Sequence, residues 1–195
     1  MHFVLTPAET TKASLVLLHG SESDETTLGA FGAQIGPDRL RLALRGTVAH
    51  DRGYSFFRRF ADRSLDTEDL RRRAGDLCDF LQAQRFARPP ILVGFSNGAI
   101  MAAAILFMRR DLIASAVLMR PLSPFPGALF PPLDDCPVLM LDAQADARRN
   151  PDDAPHLAAQ LASACAAVSR ISLPGGHSLT DEDAVQTRRW LAPLA

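Results

Sequence analysis

The residue in this sequence best suited to nucleophilic chemistry is a serine at the centre of a Gly-x-Ser-x-Gly pattern. Ser96 lies between Gly94 and Gly98, after a short apolar run and before a small, Ala-rich segment. The glycines permit a tight turn between a strand and a helix, because a Cβ at either position would hinder their close approach. Such a turn exposes the hydroxyl at the carboxyl end of a sheet. The pattern therefore predicts that Ser96 is an activated nucleophile.

A serine nucleophile needs a base, and the position of His177 is suitable. It follows an apolar strand and a double glycine, and it precedes a helical segment near the end of the chain. In a parallel sheet, the loop after the last strand lies at the same edge as the turn that holds Ser96. We therefore expect His177 to accept the proton from the Ser96 hydroxyl.

The base must be oriented by an acid, and two aspartates follow the strand before the last one. Asp142 directly ends that strand and is also explained as a cap or turn residue, whereas Asp146 lies four residues later, where it can reach back over the sheet edge. The acid must accept a hydrogen bond from the Nδ1–H of His177. Asp146 is the preferred candidate, and Asp142 stays open as the alternative.

The developing negative charge of an acyl-transfer reaction needs donors near the nucleophile. The segment His19-Gly20-Ser21 ends the first buried strand. We expect the main-chain N–H groups of Ser21 and Asn97 to form an oxyanion hole, in which each donor contributes roughly 3 kcal/mol. Because the donors belong to the main chain, the side chains of Ser21 and Asn97 are not expected to be essential.

The elements that position these residues alternate between apolar strands and helical patterns. This order predicts an α/β fold with a compact and mostly parallel doubly wound sheet, with residues 1–195 in a single domain and no lid domain. Asp66 to Asp69 predicts the start of an amphipathic helix, and 47–65 reads as an irregular loop. The other expected strands are Met1 to Leu5, Ala13 to Leu18, Leu40 to Leu44, Ile113 to Met119, Val138 to Leu141 and Val168 to Leu173, and the other expected helices are Thr27 to Ile35, the segment from Ser96 to about Arg110, Asp153 to Ala166 and Thr180 to Leu191.

Composition narrows the classes of partner. The chain has 195 residues and a formal net charge of -1, so no charge excess favours nucleic acid or a membrane surface. We expect a small-molecule partner, no metal or organic cofactor, and no membrane span; a homodimer stays open.

The three cysteines form no C-x-x-C pair, and Cys78 and Cys165 fall on apolar positions of helical patterns, so both are expected to be buried. With no leader pattern at the amino terminus, a cytoplasmic location is expected.

Taken together, these motifs resemble the phospholipase/carboxylesterase family of small α/β-hydrolases, which includes acyl-protein thioesterases. The similarity is greatest to its bacterial hydroquinone-inducible carboxylesterase-like branch, and it extends in order over nearly the whole chain. The resemblance implies a catalytic triad of Ser96, Asp146 and His177 and the hydrolysis of carboxylic esters or thioesters. The segments that carry it are Leu17 to Gly20, Arg45-Gly46, Phe56 to Arg59, Asp66 to Leu70, Gly94 to Gly98, Asp146 and Gly175 to His177.

Substrate contacts are less specified by the sequence. Apolar residues of two loops are candidates for an acyl or aryl pocket, with packing of the loops onto the domain as an equally weighted alternative. Arg58 and Arg59 are candidates for contact with an anionic group, although salt bridges to Asp66 or Asp69 are favoured. The short loops favour small esters over long lipid chains. The pocket candidates are Tyr54, Phe56, Phe57, Leu122 and Phe125.

The resulting hypothesis is a serine esterase that works through an acyl-enzyme on Ser96. The main rival is a catalytically impaired binding or regulatory module of the same fold. The segment Ala147 to Pro151, which follows the candidate acid and carries two arginines, favours this rival. A weaker rival is a flavodoxin-like nucleotide-binding domain, but the sequence contains neither G-x-G-x-x-G nor G-x-x-x-x-G-K-[ST].

Overall fold

Strands and helices alternate along most of the chain in the computed structural model, which describes residues 1–194. The strands are β1 (Phe3–Thr6), β2 (Leu15–Leu18), β3 (Arg41–Leu44), β4 (Val48–His50), β5 (Gly53–Ser55), β6 (Ile91–Phe95), β7 (Ser115–Met119), β8 (Pro137–Ala143) and β9 (Ala167–Leu173). The helices are α1 (Gly29–Ile35), α2 (Thr67–Ala83), α3 (Asn97–Met108), α4 (Asp153–Ser163) and α5 (Asp181–Leu191), with a 3-10 turn at Arg110–Leu112.

Seven strands form the central sheet in the order β1-β3-β2-β6-β7-β8-β9. All neighbouring pairs are parallel except β1 with β3, which is antiparallel. The sheet confirms the predicted mostly parallel architecture of the α/β-hydrolase type. Since parallel strands end at a common edge, the loops after β2, β6, β8 and β9 meet there.

The sheet is covered by helices on both faces. Strands β2 and β7 are buried at every position, and they read as continuous apolar runs because both of their faces are covered. One hydrophobic cluster contains α2, α3 and α4, and the other contains α1 and α5. Helix α3 is enclosed almost completely, since ten of its residues are buried. This enclosure holds the start of α3 rigidly beneath the sheet edge.

Helix α2 begins where the sequence predicts. Asp66 caps it, because its carboxylate accepts from the Asp69 N–H at 3.0 Å. Asp69 is buried, and its carboxylate accepts hydrogen bonds from the Arg58 N–H and from the guanidinium groups of Arg72 and Arg73. The segment before α2 is therefore tied to the first turn of the helix.

Several boundaries differ from the expectations. The segment 47–65 is not wholly irregular, because β4 and β5 form a two-stranded hairpin whose strands of three residues are too short to produce a clear alternating pattern. Strand β8 extends to Ala143 and includes Asp142. Helix α4 ends at Ser163, so Cys165 lies beyond it with a φ of 62° and is exposed, and the prediction that it is buried is wrong.

Candidate active site

Ser96 lies at the turn between β6 and α3 in a backbone conformation that a non-glycine residue rarely adopts. Its φ is 52° and its ψ is -106°. The flanking glycines explain how such a turn fits. A Cβ on Gly94 would lie 2.4 Å from the Gly98 carbonyl oxygen, and a Cβ on Gly98 would lie 2.1 Å from the Leu18 carbonyl oxygen. The Gly98 N–H also donates to the His19 carbonyl at 3.0 Å, which joins the turn to the end of β2.

The side chains of Ser96, His177 and Asp146 form a continuous hydrogen-bonded chain. His177 Nε2 lies 2.9 Å from Ser96 Oγ, and His177 Nδ1 lies 2.8 Å and 3.0 Å from the two carboxylate oxygens of Asp146. A carboxylate can only accept, so Nδ1 carries the proton and Nε2 presents its lone pair to the serine hydroxyl. This is the tautomer that a general base requires.

The two candidate acids have separate partners. Asp142 forms a bidentate ion pair with Arg170 of the neighbouring strand β9, at 2.8 Å and 2.9 Å, whereas Asp146 contacts His177. Asp146 also accepts from the Arg148 N–H at 2.8 Å, and the Ala145 N–H donates to the Gly175 carbonyl. The loop after β8, Gln144 to Pro151, is called the acid loop below. The bond between His177 and Asp146 and the bond from the Ala145 N–H to the Gly175 carbonyl tie the acid loop to the loop that carries His177.

Burial lowers the pKa of His177, and the hydrogen bond that its Nδ1–H donates to Asp146 opposes this effect. The nearby charges of Arg149 and Arg148 lower the pKa further. Because the shift is downwards from an ordinary value of about 6.5, the imidazole is neutral at pH 7. His177 is thus in the protonation state in which it can accept a proton.

The two main-chain donors expected for an oxyanion hole lie beside the nucleophile. Ser21 and Asn97 line the same cavity as Ser96. Asn97 is the first residue of α3, so its N–H has no intrahelical acceptor. Among residues 1–194, neither N–H donates to another protein group. Both donors are therefore available to a substrate oxygen.

His19 holds the segment that leads to Ser21. Its Nδ1 lies 2.6 Å from the Gly20 carbonyl, and its Nε2 accepts from the Gly46 N–H at 3.0 Å. Burial lowers the pKa of His19, which favours the neutral ring that this pattern needs. The ring therefore joins the end of β2 to the turn after β3.

The Asn97 side chain has a role that sequence reasoning did not find. It is 1% exposed, its Oδ1 accepts from the Phe56 N–H at 2.7 Å, and its Nδ2 donates to the Phe57 carbonyl at 3.5 Å. The residue after the nucleophile thus anchors the loop between β5 and α2. An amide can pair with both an N–H and a carbonyl, which is the only sequence-level indication of this role.

Arg120 is a second residue that sequence reasoning missed. It is buried at the end of β7 and forms a bidentate ion pair with the buried Asp183 of α5, at 2.7 Å and 3.0 Å. Its guanidinium also donates to the carbonyls of Gly176 and Ser178, on either side of His177. Its own carbonyl accepts from Arg149 Nε at 2.8 Å. Arg120 therefore connects the loop of the base, helix α5 and the acid loop.

The cavity beside Ser96 has a volume of about 400 Å³, and its walls differ from those expected. Phe57 is part of its lining, and Leu122 lines an adjoining cavity with the acid loop. Tyr54 and Phe56 line neither. Tyr54 lies under the Arg45 guanidinium, and Phe56 is 3% exposed and packs in the core against His19. Phe125 is also a core residue, next to Phe107. Packing of the loops therefore explains most of these aromatic residues.

The expected arginine contacts divide in the same way. Arg58 lies 3.5 Å from both Asp66 and Asp69, as the sequence favours, but Arg59 instead lines the cavity beside Ser96.

Residues 1–194 hold no group of three or more His, Cys, Asp or Glu side chains placed to bind a metal ion. None of the helices described is both long and apolar enough to cross a membrane.

The parallel sheet and the serine at its strand-to-helix turn define an α/β-hydrolase. No family model matches the chain. Over 181 residues the chain is 33% identical to the protein named "Putative hydrolase MhqD" from Bacillus subtilis (strain 168), and the match covers 90% of each chain. The chain belongs to the phospholipase/carboxylesterase family of α/β-hydrolases.

Solved structures of similar proteins agree with this assignment. The Bacillus cereus carboxylesterase has a TM-score of 0.94 and 29% identity, with 99% of this chain and 94% of that chain covered. A carboxylesterase from Mesorhizobium loti has a TM-score of 0.88 and 27% identity, with 94% and 90% covered. The similarity confirms the expected fold class and family.

Proposed function

We propose that the protein is a serine hydrolase that cleaves small carboxylic esters through an acyl-enzyme on Ser96. The observation that carries the proposal is the hydrogen-bonded chain from Ser96 Oγ through the His177 ring to the Asp146 carboxylate. The carboxylesterase names of the similar structures support an ester as the substrate. Asp142, with its own partner Arg170, has no part in this proposal.

In the first half of the reaction, His177 Nε2 takes the proton from Ser96 Oγ as the oxygen attacks the ester carbonyl. The carbonyl oxygen becomes an oxyanion that accepts from the N–H groups of Ser21 and Asn97. Asp146 holds the ring through Nδ1 and stabilises its positive charge. His177 then gives its proton to the departing alcohol as the carbon–oxygen bond breaks, which leaves the acyl group on Ser96.

In the second half, His177 takes a proton from water, and the resulting hydroxide equivalent attacks the acyl-enzyme. The same N–H groups hold the second oxyanion. When it collapses, Ser96 recovers its proton from His177 and the carboxylic acid is released. No step requires a metal ion or an organic cofactor, because the protein residues supply both the base and the oxyanion donors.

Labelling with a fluorophosphonate probe tests the proposal, since the probe reacts covalently with an activated serine. We expect wild-type protein to be labelled and to hydrolyse p-nitrophenyl acetate, and the Ser96→Ala variant to do neither. Ser163→Ala, at the exposed end of α4, is the matched control and should behave like wild type. Undiminished labelling of Ser96→Ala would show that Ser96 is not the nucleophile. A folded wild-type protein that shows neither labelling nor turnover would favour a binding module.

A further inference from the structure

Four arginines surround the cavity that opens beside Ser96. Arg59 and Arg63 come from the loop between β5 and α2, and Arg148 and Arg149 come from the acid loop. We call these residues the arginine cluster. Two separate segments of the chain therefore bring positive charge to the place where a substrate of the proposed hydrolase would lie.

The arginine cluster has no carboxylate partners. Among residues 1–194, no Asp or Glu oxygen lies within 4.0 Å of any of its guanidinium nitrogens. The neighbouring arginines of the same region behave differently, because Arg58 and Arg73 both pair with Asp69. An unpaired cation at the surface is common, but a group of them around one cavity concentrates positive charge that no direct ion pair among the described residues neutralises.

Acidic residues near the cluster are either engaged elsewhere or too few to balance it. Asp146 is bonded to His177, and Asp153 accepts from the Asn150 N–H. Asp62, in the adjoining cavity, accepts from Ser64. Glu22 is the one acidic residue in the lining of the cavity beside Ser96. The lining therefore carries a net positive charge.

Arg149 is the member of the cluster that reaches the nucleophile. Its Nη2 donates to Ser96 Oγ at 3.2 Å, its Nε to the Arg120 carbonyl at 2.8 Å, and its Nη1 to the Arg148 carbonyl at 3.1 Å. All three acceptors are neutral, and the remaining N–H groups of the fork are free to bind an anion. The bonds to main-chain carbonyls fix the guanidinium in place before a substrate arrives.

Burial is an additional cost for these cations. Burial and the charge of Arg59 lower the pKa of Arg149 to about 10, and burial and the charge of Arg63 lower the pKa of Arg59. Both side chains are protonated at neutral pH, so they repel each other in a partly desolvated place. A bound anion would relieve this repulsion and satisfy the free donors.

We propose that the arginine cluster binds a carboxylate in the acyl part of the substrate, so that the preferred substrates are half-esters of short dicarboxylic acids. This inference rests on the proposed function. The distance from Arg149 to Ser96 limits the length of the acyl group. Arg149 Nη2 lies 3.2 Å from Ser96 Oγ. Since a charge-assisted hydrogen bond is about 2.8 Å long, a carboxylate oxygen bound to Nη2 lies within about 6 Å of Ser96 Oγ. A malonyl or succinyl group has this reach.

The reaction with a succinate half-ester is balanced without any further reactant. Ser96 Oγ attacks the ester carbonyl of monomethyl succinate and methanol leaves with the proton from His177. Water then cleaves the succinyl-enzyme, and the products are methanol and succinate. The free carboxylate of the acyl group is unchanged throughout and serves only for binding.

The test compares monomethyl succinate with methyl succinamate, in which a neutral amide of the same shape replaces the carboxylate. Methanol release gives kcat/KM for each ester, and the readout is the ratio of the two values. We expect wild type to prefer monomethyl succinate by at least about tenfold, since hydrogen bonds to charged groups are the stronger class. Arg149→Gln and Arg59→Gln should reduce this ratio towards one.

Arg58→Gln is the matched control, because Arg58 is adjacent in sequence but pairs with Asp66 and Asp69 outside the cavity. We expect it to retain the wild-type ratio. A second measurement does not depend on turnover: calorimetric titration of the Ser96→Ala variant with succinate and with succinamide. Succinate should bind more tightly, and Arg149→Gln in the same background should remove the difference.

Each outcome separates this inference from the proposed function. Hydrolysis of both esters at equal rates, or a loss of preference in Arg58→Gln as large as in Arg59→Gln, would overturn the carboxylate site and leave the esterase intact. If wild type hydrolyses no ester but Ser96→Ala still binds succinate through Arg149, the proposed function fails and the anion site remains. Equal binding of succinate and succinamide would overturn the site by itself.

Discussion

The two sides of the active site are built in different ways. On one side, Ser96 and Asn97 lie at a turn where buried main-chain atoms leave no space for a Cβ on Gly94 or Gly98. On the other side, the acid loop holds Asp146 among largely exposed residues, and it carries Arg148 and Arg149. The proposed nucleophile depends on close packing, whereas the proposed acid depends on hydrogen bonds and charge. The proposed chemistry therefore lies partly in a rigid turn and partly in a loop, and loops tolerate sequence change better than packed elements do.

The close packing of the turn can be broken most directly at Gly98. In Gly98→Ala, the new Cβ would lie 2.1 Å from the Leu18 carbonyl oxygen, and backbone cannot move away as a side chain can. We expect a loss of more than about 4 kcal/mol in the free energy of unfolding, or no folded protein. Gly29→Ala is the control, since its Cβ meets nothing within 4 Å, and it should be neutral or stabilising. Thermal unfolding of both variants is the measurement, and similar melting temperatures would contradict the packing argument.

The acid loop can be tested with two aspartates that differ in their partners. Asp146→Asn should reduce kcat about 10³- to 10⁴-fold, because the amide no longer fixes the base in the required tautomer. Asp142→Asn should leave kcat within about twofold and cost less than about 1 kcal/mol of stability, as expected for a partly exposed ion pair. Steady-state kinetics on p-nitrophenyl acetate measures both effects. A larger kinetic loss in Asp142→Asn would reverse the assignment of the acid.

The side chain of Asn97 connects the rigid turn at Ser96 to the loop between β5 and α2. Asn97→Ala leaves the buried Phe56 N–H without its acceptor, which should cost about 1–3 kcal/mol in urea unfolding. Asn150→Ala is the control, because the bond from Asn150 to Asp153 is donated by its main-chain N–H. Equal stability of wild type and Asn97→Ala would show that the side chain does not anchor the loop.

The charge of the acid loop should also be visible in the pH profile of kcat/KM. Because burial and the arginines lower the pKa of His177, the acid limb should lie below pH 6.5, and activity should fall as the ring becomes protonated. Removing the charge of Arg149 in Arg149→Gln should move this limb to higher pH, whereas Arg58→Gln should not move it. An unchanged limb in Arg149→Gln would mean that the loop does not tune the base.

The same shifts predict how stability depends on pH. The folded-state pKa values of His19 and His177 are lowered, so their contribution to stability is complete above the unfolded value of about 6.5. As the pH falls from there towards the folded-state values, the unfolded chain takes up protons that the folded chain does not, and stability is lost. Urea unfolding at a series of pH values measures this loss. His177→Gln should reduce the slope, and the same slope in that variant would exclude His177 as a source.

The difference between the two sides also explains what the sequence could predict. The turn at Ser96 and the loop with His177 follow from glycine positions and chain order, which are local properties. The position of Asp146 in its loop already favours it over Asp142, but no local pattern reveals that Asp142 has its own partner, Arg170, on the neighbouring strand. Arg59 and Arg149 have the same residue type as Arg58 and Arg73, and only the folded chain shows which of them lack a carboxylate. Most of the aromatic candidates lie away from the cavity for a similar reason, since the burial of Phe56 depends on how its loop folds onto His19.

The ion pair between Arg120 and Asp183 has a consequence for the order in which the protein would be inactivated. Asp183 of helix α5 anchors the Arg120 guanidinium, which donates to the carbonyls on either side of His177. The turn at Ser96 is joined to the ends of β2 and β7, because the Gly98 N–H donates to the His19 carbonyl and the Ser96 N–H donates to the Met119 carbonyl. Detachment of α5 in a local unfolding event would therefore release the loop that carries His177 while the sheet persists. Enzymatic activity and the circular dichroism of the sheet would then report two separate transitions along one denaturant gradient.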